Sequence, residues 1–107
     1  MAKIDWTVGF LRQMDERIGY ASMEFGKATA NRWAEEIAAI EQRLKEYPTS
    51  YAPESLLHGK KELYRRCHLM HRRFKIIYYY DETEDTVHLV DIWDTRMNPK
   101  TLVKRIR

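Results

Sequence analysis

From Val8 to Phe25, apolar residues recur at Phe10, Met14, Ile18, Ala21 and Phe25, in steps of three and four that line one side of a helix. Gly26 then suits the helix end. A second stripe, Ala30, Trp33, Ile37, Ile40, Leu44 and Tyr47, predicts a helix from Ala28 to Tyr47, with Glu35, Glu36, Gln42, Arg43, Lys45 and Glu46 on its other side and Pro48 ending it. With a break of two or three residues between them, the two helices should form an antiparallel hairpin. Trp33 and the other stripe residues read as core.

Around the hairpin the period changes from 3.6 to 2. Lys3 to Trp6 is a short strand candidate, and Leu63 to Met70, Phe74 to Asp81 and Thr86 to Asp94 are three more, rich in β-branched and aromatic residues. Short links at His71–Arg73 and Asp81–Asp85 predict antiparallel neighbours. Thr49 to Ser55 has no period and reads as loop. Asn98 and Pro99 form a plausible cap and first turn for a terminal helix carrying Leu102, Val103 and Ile106. The order β-α-α-β-β-β-α implies an α+β fold, a helix hairpin packed on one face of a small, mainly antiparallel sheet.

The 107 residues suit one domain spanning residues 1–107, and 44% hydrophobic with 33% charged residues is the balance of a folded chain. No stretch approaches the ~20 apolar residues of a membrane span, and the first residues lack the apolar run of a secretory signal. A cytoplasmic location is therefore expected. The lone Cys67 has no internal disulfide partner. The net charge is only +3, so the placement of charge matters more than its sum. Five Lys or Arg and two His crowd between Leu63 and Asp81, and further cations lie between Arg96 and Arg107.

Alternation sorts that charge. Arg66 and His68 share one face of their strand, while Cys67 and Leu69 share the other. Phe74, Ile76, Tyr78 and Tyr80 make an apolar row for the helices, leaving Lys75, Ile77 and Tyr79 opposite. Arg66, His68 and Lys75 should therefore project together from an open sheet face, with Arg96 at its rim. The strand from Thr86 to Asp94 mixes apolar and polar groups on both faces. A metal site at Cys67, His68 and His71 fails because adjacent strand residues point to opposite faces. No Gly-rich phosphate loop or Gly-x-Ser-x-Gly turn is present, His58 and Gly59 belong to a turn entering the sheet, and nothing calls for a cofactor. The remaining chemistry is that of cations on phosphate. Arg and Lys would hold an RNA backbone and stabilise charge growing on a phosphate as a 2′-hydroxyl attacks, with His68 as base or acid.

Taken together, "IDWT" leading into a helix, "RWAEEIAAIEQRLKEYP", "HGKKELYRRCHLMHRRFKIIYYYD" and "VHLVDIWDTRMNP" resemble the RelE/ParE superfamily of toxins from type II toxin–antitoxin systems, over nearly the whole chain. The last two segments carry most of the likeness. The resemblance implies a plasmid-stabilisation type of toxin from a bacterium or archaeon, held inactive by a cognate antitoxin. RelE-like members cleave mRNA on the ribosome with basic residues of the sheet and C-terminal region, whereas ParE-like members poison DNA gyrase without such a set. By position, Arg66 and His68 match basic residues of the first meander strand, Lys75 the arginine of the next, and Arg96 the arginine after the last, so these four are the expected catalytic residues, and growth arrest by ribosome-dependent mRNA cleavage is the leading expectation with gyrase inhibition nearly level as the alternative. Leu102 and Val103 stand where RelE-like nucleases often carry an aromatic or a histidine. A weakly toxic, antitoxin-binding module is a third reading. Acidic antitoxin segments should complement the basic sheet face.

Overall fold

A computed structural model describes all residues, 1–107, and follows the predicted order: β1 (Lys3–Trp6), α1 (Val8–Phe25), α2 (Lys27–Glu46), a 3-10 turn (Ser55–Leu57), β2 (Arg65–Leu69), β3 (Phe74–Asp81), β4 (Thr86–Asp94) and α3 (Pro99–Arg105). The sheet order is β1-β4-β3-β2. The β2–β3 and β3–β4 pairs are antiparallel, and β1 runs parallel to β4. A parallel neighbour requires a long crossover, and the α1–α2 hairpin begins it.

The hairpin corner is tighter than the sequence suggests. Gly26 alone ends α1 and begins α2, at φ 93°, a conformation that a side chain would resist. Its buried stripe follows the predicted period at Phe10, Ala21, Trp33, Ile37, Ile40 and Leu44, but the last member of each stripe, Phe25 and Tyr47, is exposed. Against this stripe lie Cys67 and Leu69 of β2, Ile76 and Tyr78 of β3, and Val87, Leu89 and Ile92 of β4. Burying each such side chain is worth roughly 1.5–3 kcal/mol. Burial pushes the proton affinity of the Cys67 thiol up and leaves it a packing residue.

β4 explains its own ambiguous pattern. Tyr78 pairs with Leu89 and Ile77 with Asp91, so Val90 is an extra residue without a partner across the sheet. Such a bulge reverses the alternation. Val87 and Leu89 face the hairpin before it; Ile92 faces the hairpin after it, while Asp91 and Trp93 turn to the other side. β1 stops at the same level. The Thr7 backbone N–H and hydroxyl both donate to the Leu89 carbonyl, at 3.2 and 2.7 Å, and α1 starts there.

The largest departure from the sequence reading is the second sheet face, which is not open. Leu57 of the 3-10 turn and Leu102 and Ile106 at the C-terminal end pack on Tyr64, Ile77 and Trp93, forming a second core. No helix is long and apolar enough to cross a membrane.

Candidate functional site

The pairing of the strands brings three of the four predicted site residues to one face. His68 stands opposite Lys75 and Lys75 opposite Trp93; one row along, Arg66 stands opposite Ile77 and Ile77 opposite Asp91. Their surroundings differ from the expected solvated patch. Lys75 is only 7% exposed, and its ammonium lies against the carboxylate of Glu54, which is 4% exposed. Glu54 also accepts from the Leu56 N–H at 3.2 Å, capping the 3-10 turn. An ion in the interior costs several kcal/mol unless paired and hydrogen-bonded, so the turn and β3 hold each other through this pair. The positive charge of Lys75 is thereby neutralised.

Arg66 and His68 remain accessible. The Arg66 guanidinium donates to the Pro53 carbonyl. The His68 imidazole has its proton affinity lowered, first by burial and then by the cations of Arg72, Arg66 and Lys75, with Glu54 opposing. It is therefore a neutral base at neutral pH, flanked by a guanidinium.

A second pair closes the same face further along. Asp91, 3% exposed, accepts from Arg105 of α3, and the Arg105 guanidinium also lies 5.3 Å from the centre of the Trp93 ring. Lys60 donates to the Val103 carbonyl at 2.7 Å and the Tyr64 hydroxyl to the Arg107 carbonyl at 3.3 Å. Glu54 and Asp91 are the charged residues of this face that the sequence reading missed. One signal was available: the apolar stripe Leu102, Val103 and Ile106 needs a surface, and the hairpin already takes the first face of the sheet.

Arg96 does not join the other three. It lies beyond β4 on the hairpin side, with its N–H on the Asp94 carboxylate at 2.9 Å and its Nε 3.5 Å from the same oxygen. There it lines a groove of about 560 Å³ between the hairpin tip and the β2–β3 turn, together with Arg17, Arg73, Trp33 and Phe74. That turn holds Met70, His71 and Arg72 at φ 51°, 58° and 65°, three left-handed residues in succession. It is pinned by Glu36, which accepts from the Met70 N–H at 2.8 Å, and by Thr95, whose N–H and hydroxyl donate to the Arg73 carbonyl at 2.9 and 2.8 Å.

The family model described as the ParE toxin of type II toxin–antitoxin system, parDE, matches residues 4–99, which takes in both long helices, β2, β3, β4 and all of β1 but its first residue. The chain belongs to this ParE toxin family. Membership in a toxin–antitoxin family implies an antitoxin partner for this ParE-family chain. Among solved structures it is similar to the isolated E. coli RelE toxin, at 15% sequence identity and a TM-score of 0.55, over 98% of each chain. That likeness is one of fold. No curated protein matches the chain.

Proposed function

We propose that this ParE-family toxin arrests growth by binding and inhibiting DNA gyrase, and not by cutting mRNA. The observation that carries the reading is the buried Lys75–Glu54 pair. A phosphate-cleaving site needs cations free to meet charge developing on the phosphate. Lys75 spends its charge on Glu54, and Arg96 stands in a separate groove with Arg17 and Arg73. Of the four residues suited to RNA cleavage, only Arg66 and His68 remain together and accessible. A toxin that acts by occupying its target needs no such set, and both that target and a protein antitoxin put its action in the cytoplasm.

Ribosome-dependent mRNA cleavage is the second reading, favoured by one feature: neutral His68 beside the Arg66 guanidinium, a base next to a phosphate-binding cation. One pair of assays separates the two. Purified toxin added to gyrase and relaxed plasmid should abolish supercoiling, and induced cells should show no new mRNA ends within translated codons. Full supercoiling at excess toxin, with fresh ends appearing in cells, would reverse the choice.

A further inference from the structure

We propose that the cavity bounded by the start of α1, the bulge of β4 and the C-terminal end of α3 binds a free guanine mononucleotide, with the base inside and the phosphate on Arg12 and Arg107. Neither Arg66 nor His68 lines it, so the proposal stands apart from the choice between gyrase and mRNA.

The cavity holds about 500 Å³, within the range of small-ligand sites. Asp91 lines it at only 3% exposure. Its Oδ1 accepts the Ile92 N–H at 2.9 Å and the Arg105 guanidinium, while its Oδ2 is buried with no donor at all. Burial raises the proton affinity of this carboxyl in spite of the neighbouring guanidiniums of Arg105 and Arg17, so its charge is still short of donors. Gln13 of α1 lines the same cavity, and its Oε1 is likewise buried without a donor. Native interiors rarely leave two acceptors unmet in one place. Together they ask for a ligand that brings N–H groups.

The surrounding charge decides what kind of donor enters. Arg12, Arg105 and Arg107 line the cavity against a single carboxylate side chain, Asp91. Arg105 is occupied by Asp91 and the Trp93 ring, whereas Arg12 and Arg107 are exposed with no carboxylate within ion-pair distance. An ammonium or guanidinium ligand would enter against that charge. A neutral N–H edge joined to a phosphate meets both demands, since arginine forks bind phosphate oxygens.

Base edges differ in what they offer. On the Watson–Crick edge adenine and cytosine set a donor beside an acceptor, and uracil sets one donor between two acceptors. Guanine alone presents two adjacent donors, its ring N–H and its 2-amino group. These suit Asp91 Oδ2 and Gln13 Oε1, and Gln13, only partly buried, is the side chain able to swing against the ring. Tyr64 and Tyr79, edge to face at 5.6 Å, and Ile106 supply an apolar wall for a flat base. A strand of RNA fits worse than a free nucleotide. It carries a phosphate on each side of the base, and Arg12 and Arg107 are the only unpaired cations lining the cavity.

The test is isothermal titration calorimetry of the full chain with GMP, IMP, AMP, guanosine, inorganic phosphate and a short single-stranded RNA containing guanine. GMP should bind. IMP, which lacks the 2-amino donor, and AMP should each bind about tenfold or more weakly. Gln13→Leu should weaken GMP by about the same factor, while Gln13→Glu, which keeps an acceptor, should retain most of the affinity. Arg12→Glu should weaken GMP and leave guanosine unchanged, because only the phosphate meets the arginine. Arg96→Glu in the other groove should alter neither. Asp91 is kept intact because it also holds α3, and far-ultraviolet circular dichroism confirms that each variant folds. GMP bound no better than phosphate, AMP bound as well as GMP, indifference to Gln13→Leu, or preference for the RNA would each overturn the proposal. No binding of GMP at all would do the same, and would leave the two acceptors to ordered water.

Discussion

The Lys75 ammonium in β3 rests against the Glu54 carboxylate in the loop before β2, with both side chains closed off beneath the 3-10 turn. Removing one partner leaves the other charged and buried. Glu54→Ala should lower stability by about 3–5 kcal/mol. The double replacement Glu54→Leu with Lys75→Met should recover most of that loss, because no ion is then buried. Urea unfolding midpoints of the two variants provide the comparison, and equal destabilisation would show that the charge is not what matters.

The His68 imidazole should titrate below its ordinary value of 6.5, because burial and then Arg72, Arg66 and Lys75 disfavour its charged form. The sign for stability follows. The unfolded chain takes up this proton more readily than the folded one, so the contribution of neutral His68 is complete above about pH 6.5 and drains away as pH falls through the folded value. A histidine-resolved NMR titration gives the midpoint. His68→Gln should flatten the decline of stability between pH 7 and pH 5, and an unaltered slope would contradict the assignment.

Three consecutive left-handed residues in the β2–β3 turn hold strain that a glycine would release. His71 sits at φ 58° and is exposed, so His71→Gly removes the Cβ conflict without removing a packed group. The relief of roughly 1–2 kcal/mol is partly offset by the greater freedom of glycine in the unfolded chain. A net gain of about 0.5–1 kcal/mol is expected, visible as a rise of a few degrees in melting temperature. His71→Ala, which keeps the Cβ, should show no such rise.

At the start of α1 the helix is fastened to the bulge of β4. The Thr7 hydroxyl accepts from the Phe10 N–H at 3.3 Å and donates to the Leu89 carbonyl at 2.7 Å. Thr7→Val should cost about 1–2 kcal/mol, while Thr7→Ser should cost little. Beside it, a Cβ on Gly9 would sit 3.2 Å from the Val90 carbonyl oxygen. Gly9→Val forces that contact and should cost about 1–3 kcal/mol. Chemical denaturation of the three variants checks both numbers, and a stable Gly9→Val would mean that the bulge yields.

Much of this was legible in the chain. The residues with helical spacing, Phe10, Ala21, Trp33, Ile37, Ile40 and Leu44, are the ones buried, and the bounds of β1, β3 and β4 coincide with their patterns. The shared face of Arg66, His68 and Lys75 followed from alternation alone. Phe25 and Tyr47 were misplaced because the first is the last residue of α1 and the second lies one residue past α2, where the helical stripe no longer has the core beneath it and both side chains are exposed. The reading of β4 failed at Val90, since a single inserted residue reverses parity and leaves no mark in composition.

Local periodicity, caps and turn chemistry determined the elements, their order and which side of each strand a residue takes, because those depend on neighbours a few positions away. The partners across the fold were decided only in three dimensions. Whether Lys75 is a free cation or half of a buried pair depends on Glu54, 21 residues earlier in the chain. Whether the second sheet face is open depends on α3 folding back over it. Arg96 finds its company in Arg17 and Arg73, and not in His68, because β4 ends on the hairpin side. Charge in a sequence is a count, and its effect depends on burial and pairing, which long-range packing alone supplies.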